Sequence, residues 1–392
     1  MCSELPGPPE APDGGISGKW APQGAALLFG EMPRKGNFYR LPLREAAGRK
    51  SEEELWMAQR FDNVKLEKGM YREAGRSFTQ VLEKLDPSEQ YRGTALEGLD
   101  AYQRQLKRFD IRVKGAGSDL VDKFFSTSQS AVLFPEYIAR AVRVGMEEAN
   151  ILPDITATET LIDGMDYRSI TSVPGEDSRP EQVDEGAAIP QTTVRTQDSL
   201  VKLHKRGRML VASYEAIRFQ KLDLFSVTLR QIGAQIGRMN LEDAVNVVIN
   251  GDGNSNPAQT SAVKTPGTLS YEDLLTFWSR FEPYQLNTLL MGTDTMTKLL
   301  GMRQMRDAAA GLDFHGTGRL VTPMGARVLR TSAVPAGKII GLDKNYALEM
   351  VKAGDVMVEY DKLIDRQLER AAITTISGYA KIFENASQVL TV

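Results

Sequence analysis

Two histidines, His204 and His315, and one cysteine, Cys2, are all that 392 residues offer for general-base, imidazole-ligand or thiolate chemistry. His204 follows an alternating Val201-Lys202-Leu203 and stands beside Lys205, Arg206 and Arg208, the setting of a solvated strand residue. His315 lies in a glycine-rich loop between Phe314 and Gly316, with no second ligand nearby. Gly316-Thr317-Gly318 lacks the third glycine of a dinucleotide fingerprint and does not join a strand to a helix, and no phosphate loop of the Gly-x-x-x-x-Gly-Lys type occurs. Asp252, Asn254 and Asn256 alternate like the first half of a calcium loop. Pro257 stands where that loop needs glycine, and Val263 where it needs a bidentate glutamate. The segment therefore reads as a turn. A Ser-His-acid set is missing at plausible positions, which disfavours an α+β hydrolase. With a single cysteine no intramolecular disulfide can form. The expectation is a protein without catalytic residues, cofactor or metal.

The remaining chemistry is charge. Lys202, Lys205, Arg206 and Arg208 fall within seven residues, and an acidic stretch, Glu176, Asp177, Glu181, Asp184 and Glu185, precedes them. The basic cluster has no interleaved aromatics, and the net charge is -3, from 48 Lys and Arg against 51 Asp and Glu. A nucleic-acid groove is thus the weaker reading. Pairing within or between subunits is the stronger one, with Glu181, Asp184 and Glu185 of the hairpin, or Glu242 and Asp243 of a neighbour, as partners.

Elements must hold these charges in place. Eleven of the first thirty residues are Gly or Pro, so residues 1–45 read as a flexible tail. Ser51-Glu52-Glu53-Glu54 has the form of a capping box opening a short helix through Arg60. Asp86-Pro87 reads as the start of another, with Leu96, Leu99, Tyr102 and Leu106 on one face. Residues 111–135 read as a linker broken at Gly115 and Gly117, and 136–149 as a short helix. Between Ile155 and Arg208 extended segments flank Pro174-Gly175-Glu176-Asp177-Ser178-Arg179-Pro180, a long hairpin with little core of its own.

The clearest element runs from Asp223 to Ile249. Phe225, Leu229, Ile232, Ile236 and Met239 repeat at steps of four and three on a helix roughly 40 Å long. Gly233 and Gly237 inside it suggest a close neighbouring backbone, and Asn250-Gly251-Asp252-Gly253 stops it. A compact α+β part follows. Ser270 caps a helix holding Leu274, Leu275, Trp278 and Phe281, Leu286–Met291 is a buried strand, and Thr293 opens a helix. Short strands come at 326–329, 338–341, 347–351, 356–360 and 373–383. No run of 18 apolar residues occurs, and Met1–Ala11 lacks the pattern of a signal peptide, so a soluble protein of a cytoplasm is expected.

This order resembles the major capsid protein of tailed bacteriophages, the HK-ninety-seven-like shell fold. The likeness is most specific over Thr193–Asn256 and continues in Asn287–Thr293, Pro323–Val328 and Gly337–Leu342. It implies an α+β capsid fold with 1–45 as tail, 46–123 as a helical, scaffold-like extension and 124–165 as N-arm. The E-loop hairpin would be 166–209, the peripheral (P) domain with its spine helix 210–265, the axial (A) domain 266–352, and the closing strands 353–392. It implies self-assembly in hexamers and pentamers into an icosahedral virion shell in a bacterial cytoplasm. The partners implied are portal and possibly decoration or scaffold proteins, and weakly held double-stranded DNA; no membrane partner is implied. An encapsulin-type nanocompartment is the alternative. Some members cross-link through a hairpin lysine; Thr171–Gln191 contains none, so self-cross-linking is not expected.

Overall fold

The computed structural model describes residues 61–72, 76–148, 150–173, 193–306 and 320–392. The Gly/Pro-rich tail, the capping box at Ser51, the hairpin tip with Glu181, Asp184 and Glu185, and the loop with His315 lie outside these residues.

Short capped helices open the described chain. Helix α1 (Phe78–Leu85) starts at Ser77, whose hydroxyl accepts from Gln80 N, and α2 (Ala101–Arg108) starts at Asp100, which accepts from Gln103 N. Both close reciprocal capping boxes. The helix expected from Asp86 does not form there. Asp86 ends α1, a single 3₁₀ turn follows at Ser88–Tyr91, and Gly93 and Gly98 adopt φ of +77° and +80°, which interrupts helix until Asp100. Asp86 is instead a buried anion, accepting from Arg104 Nε at 2.7 Å and Tyr91 Oη at 2.5 Å, and Arg104 is 0 % exposed.

Residues 111–135 are not a linker. Val121, Phe124, Leu133 and Phe134 are fully buried, and a 3₁₀ turn spans Val121–Phe125. Leu82, Tyr102 and Leu106 join them in the core that also holds Leu229 and Ile232 of the long helix. Over its described part the expected extension is therefore no projecting module, because its apolar faces are buried in the same core as the first half of the long helix.

Helix α3 (Phe134–Glu148) follows, and β1 (Thr158–Leu161), β2 (Ile170–Val173), β3 (Thr193–Thr196) and β4 (His204–Ser213) lead to the short α4 (Tyr214–Phe219). The spine helix α5 spans Leu222–Asn250, within a residue of its expected limits, and ends at Gly251 with φ +86°. The glycines in α5 do mark a close approach. A Cβ on Gly233 would sit 2.1 Å from Val142 O of α3, and one on Gly145 of α3 would sit 2.0 Å from Arg230 O. The two helices cross backbone to backbone.

Phe225, Leu229, Ile232 and Ile236 are buried as expected, but Met239 is 40 % exposed. Its expected place is taken by Asn240 and Leu241, and Ala244, Val245 and Val248 continue the buried line. A strict four-three repeat averages 3.5 residues against 3.6 per turn, so the stripe drifts. The partner also changes, from α3 to a second core that holds Leu241, Ala244 and Val248 with Leu290, Ile340 and Tyr379.

Strands β5 (Gln259–Ala262), β6 (Thr288–Met291), β7 (Arg327–Arg330), β8 (Lys338–Leu342) and the last strand, β12 (Ser387–Thr391), form one sheet in the order β5-β12-β8-β6-β7, with α6 (Tyr271–Ser279) and α7 (Thr293–Gly301) between them in the chain; β5 and β12 come from outside the expected 266–352. Ser270 caps α6 as expected; Leu274 and Phe281 are buried, whereas Leu275 and Trp278 are exposed. The second sheet orders β1-β9-β11-β10 from β9 (Leu348–Lys352), β10 (Met357–Leu363) and β11 (Leu368–Lys381). Strand β4 pairs with β11 on the side opposite β9 and β10, since Ser377 faces both His204 and Lys352.

Candidate inter-subunit surface

The hairpin stem pairs Ile170 with Thr196 through Val173 with Thr193. On this stem Val194 stays in the open at 61 % exposure, and Ile170 is similarly uncovered. Its root is fixed. Glu349, buried in β9, accepts hydrogen bonds from Thr160 Oγ1 at 2.6 Å, Tyr167 Oη at 2.8 Å and Ser169 Oγ. Burial, and then the Glu349 carboxylate, push the Tyr167 phenol above its ordinary range.

A second polar knot joins the hairpin's return to the spine's end. Gln197 Nε2 donates to Lys381 O at 2.7 Å, Asn254 Nδ2 to Gln197 Oε1 at 3.0 Å, and Lys381 N to Asp252 Oδ2 at 2.9 Å. Asp252 Oδ1 accepts from Asn254 N, so the calcium-like segment is a turn whose acid serves its own chain. Among the described residues no group of His, Cys, Asp and Glu could hold a metal ion. Lys381 is buried with its ammonium on Asn256 O at 2.9 Å, and desolvation lowers its pKa to about 8. Sequence reasoning missed Glu349, Gln197 and Lys381. The first and last left a signal, a single charge inside the apolar runs Leu348–Val351 and Tyr379–Phe383.

The basic cluster sits elsewhere than expected. Val201 turns inward against Val351 and Ala380, and the strand begins only at His204, paired with β11 through Ser213. Lys205, Arg206 and Arg208 thus lie on β4 at the edge of the sheet that holds β11 and not on the hairpin's returning strand, while Lys202 precedes it. Arg206 forms a two-pronged pair with Asp243, Nη2 to Oδ1 at 2.5 Å and Nε to Oδ2 at 3.0 Å, and His204 Nδ1 lies 3.2 Å from Asp243 Oδ2. The hydrogen bond to Asp243 raises the Arg206 guanidinium further. Asp243 was expected to serve a neighbour's cluster; within this chain it serves Arg206, because β4 crosses the spine at that turn. Arg208 donates to Gln235 of the spine. Lys202 and Lys205 are exposed, as is Glu242.

Among the described residues no strand covers the other edge of β4, so alternate N–H and C=O groups point outward. Met209 and Val211 on β4 are exposed, as are Leu224 and Val227 on the first turns of the spine, and Phe219 at the end of α4 reaches 77 %. Such a surface of exposed apolar side chains rimmed by charge can bind other surfaces; it gathers no nucleophile, base and acid in one cleft.

Residues 196–378 match the model of a family described as phage capsid protein. The match runs from the end of β3 through β4, the spine and strands β5–β10 into β11. No curated protein sequence matches the chain. Among solved structures, the virus-like particle of Pyrococcus furiosus is 12% identical, with 66% of this chain and 99% of that chain covered and a TM-score of 0.46. The capsid of the native GTA particle is 17% identical, over 61% of this chain and 89% of that chain, at a TM-score of 0.45. Microbacterium phage Oxtober96 is 13% identical, over 62% and 90%, also at 0.45.

Proposed function

We propose that this chain, a structural phage capsid protein over residues 196–378, is the major subunit of an icosahedral shell that encloses a phage genome. The observation that carries the reading is the match of the spine and its flanking strands to that family. An uncovered hairpin with a rigidly tied root supports it, since such a hairpin gains a core only against another molecule. Copies meet as hexamers and pentamers, and the protein turns over no substrate. Portal, decoration or scaffold proteins and packaged double-stranded DNA are the further partners of such a shell, and the virion is its location.

Within that shell the acidic segment with Glu181, Asp184 and Glu185 pairs with Lys202, Lys205 and Arg208 of a neighbour, and Glu242 offers a further acid. Arg206 is excluded from this set by its own Asp243. Each exposed pair contributes only about 0–1 kcal/mol, but a shell repeats the contact in every subunit.

The test is negative-stain microscopy of the protein expressed alone, which should show closed particles or capsomer rings. A stable monomer at high concentration, without particles, refutes the reading. Lys202→Glu with Lys205→Glu should leave the melting temperature within about 2 °C and reduce particle yield, and high salt should weaken wild-type particles in the same way. Normal assembly with weakened DNA binding would instead turn this patch towards the genome.

A further inference from the structure

The inner face of β11 changes character along its length. Ala371 and Ile373 belong to the core around α3 and the first half of the spine, Tyr379 to the core around the spine's second half, and between them stand Thr375 and Ser377, both buried. Opposite this waist the spine places Asn240, 1 % exposed, between Ile236 of one core and Leu241 of the other. Asn240 Oδ1 and Thr375 Oγ1 make no hydrogen bond within the chain. A dry orphan of this kind costs stability, so such oxygens call for a partner.

A cavity of about 150 Å³ adjoins them, lined by Arg143, Met146, Asn240, Met350, Lys352 and Thr375 among others. Its cations are already neutralised: Arg143 by Glu136 at 3.4 Å and Asp355 at 3.0 Å, Lys352 by Glu159 at 2.6 Å. A charged ligand therefore finds no unmatched counter-charge among these pairs. Arg143 Nε on the same wall also lacks a hydrogen bond, so the orphans are a neutral acceptor, a hydroxyl and one N–H donor, and an occupant must be small and able both to donate and to accept. Methionines form part of the wall, and their unbranched, adaptable side chains let an occupant reach oxygens that the wall otherwise covers.

We propose that this cavity is a hydration site, in which a small cluster of water molecules hydrogen-bonds to Asn240, Thr375 and Arg143. The seam between the two cores is then wet, and the cores can shift against each other along α5 and β11 without opening an apolar void. This inference stands apart from the shell reading, since it concerns the folded subunit alone.

The sign of a stability change tests it in the full-length protein. Thr375→Val is isosteric and removes the hydroxyl. If waters bind there, the variant loses their partner and its melting temperature falls by about 2 °C or more. Asn240→Leu falls likewise, and the double variant falls by less than the sum, because both residues hold the same cluster. If the oxygens are dry, each substitution relieves a penalty and the melting temperature rises, which overturns the proposal. Should Asn240→Leu fail to fold, Thr375→Val decides alone. An unchanged melting temperature in Thr375→Val also counts against a bound cluster.

Discussion

Where α3 crosses α5, side chains have been reduced to glycine so that two backbones touch. At the hairpin stem and along β4, by contrast, Ile170, Val194, Met209 and Val211 are large, apolar and left in the open. The first region is closed within one chain, backbone against backbone, at Val142, Gly145 and Gly233. The second is tied at the hairpin root by Glu349 and the Asp252 turn and along one edge of β4 by β11, while among the described residues the other edge of β4 and these side chains stay uncovered. Stability of the subunit and capacity to bind a neighbour are thus assigned to separate residues. Changes in the first set should unfold the chain, and changes in the second should act only on partners.

The largest expected break comes from charge in the crossing region. Ile232→Asp buries an unpaired carboxylate and should cost several kcal/mol, read as insoluble protein or a collapsed urea midpoint. Met239→Asp, seven residues on, should stay within about 0.5 kcal/mol in the subunit. Equal effects would erase the assignment of faces along the spine.

Gly233→Ala comes next. Its methyl would lie 2.1 Å from Val142 O, backbone that cannot swing away, so a loss of about 3 kcal/mol is expected in chemical denaturation despite alanine's better helix propensity. A stabilised variant would show that the helices do not touch there.

Lys381 gives a somewhat smaller effect, with a direction set by pH. Its folded pKa, about 8, lies below the ordinary 10.5, so between these values the unfolded chain binds more protons and stability rises with pH. Burial of the charged form costs on the order of 3 kcal/mol at neutral pH, and the cost fades as pH climbs through that window. Lys381→Met should abolish the rise seen in wild-type unfolding curves from pH 8 to 10.5. A wild-type curve flat over that range would place the ammonium in contact with water.

The smallest effect belongs to the hairpin stem. Ile170→Ala should leave subunit stability within about 0.5 kcal/mol while lowering particle yield, measured by calorimetry and sedimentation of the same preparation. A loss of stability in the unassembled subunit would mean that the stem is covered within its own chain.

Much of this division could be read in advance. The long helix, its glycine stop, the close approach at Gly233 and the Ser270 cap follow from spacing and turn chemistry, which act over a few residues. The reading failed where a local signal met a competing one. Asp86-Pro87 has the form of a helix start, yet Gly93 and Gly98 prevent propagation, and Arg104 takes the aspartate as a buried counter-ion. Residues 111–135 look like a linker because glycine and proline punctuate them, yet Val121 and Phe124 are wholly buried. In the candidate surface, the charges on β4 were legible, but not the partner of Arg206 or the strand that β4 joins.

By itself the sequence determined the α+β class, the spine's limits, the charges available and the poverty of catalytic groups, because periodicity, capping and composition are properties of neighbouring residues. Only the tertiary structure decided that β4 runs beside β11, that Asp243 meets Arg206, that Met239 turns outward and that Phe78, Tyr102, Val121 and Phe124 share a core with the first half of the spine. Each of those depends on which distant segment arrives first-hand at a given face, and burial and charge pairing between remote residues leave no spacing in the chain to read.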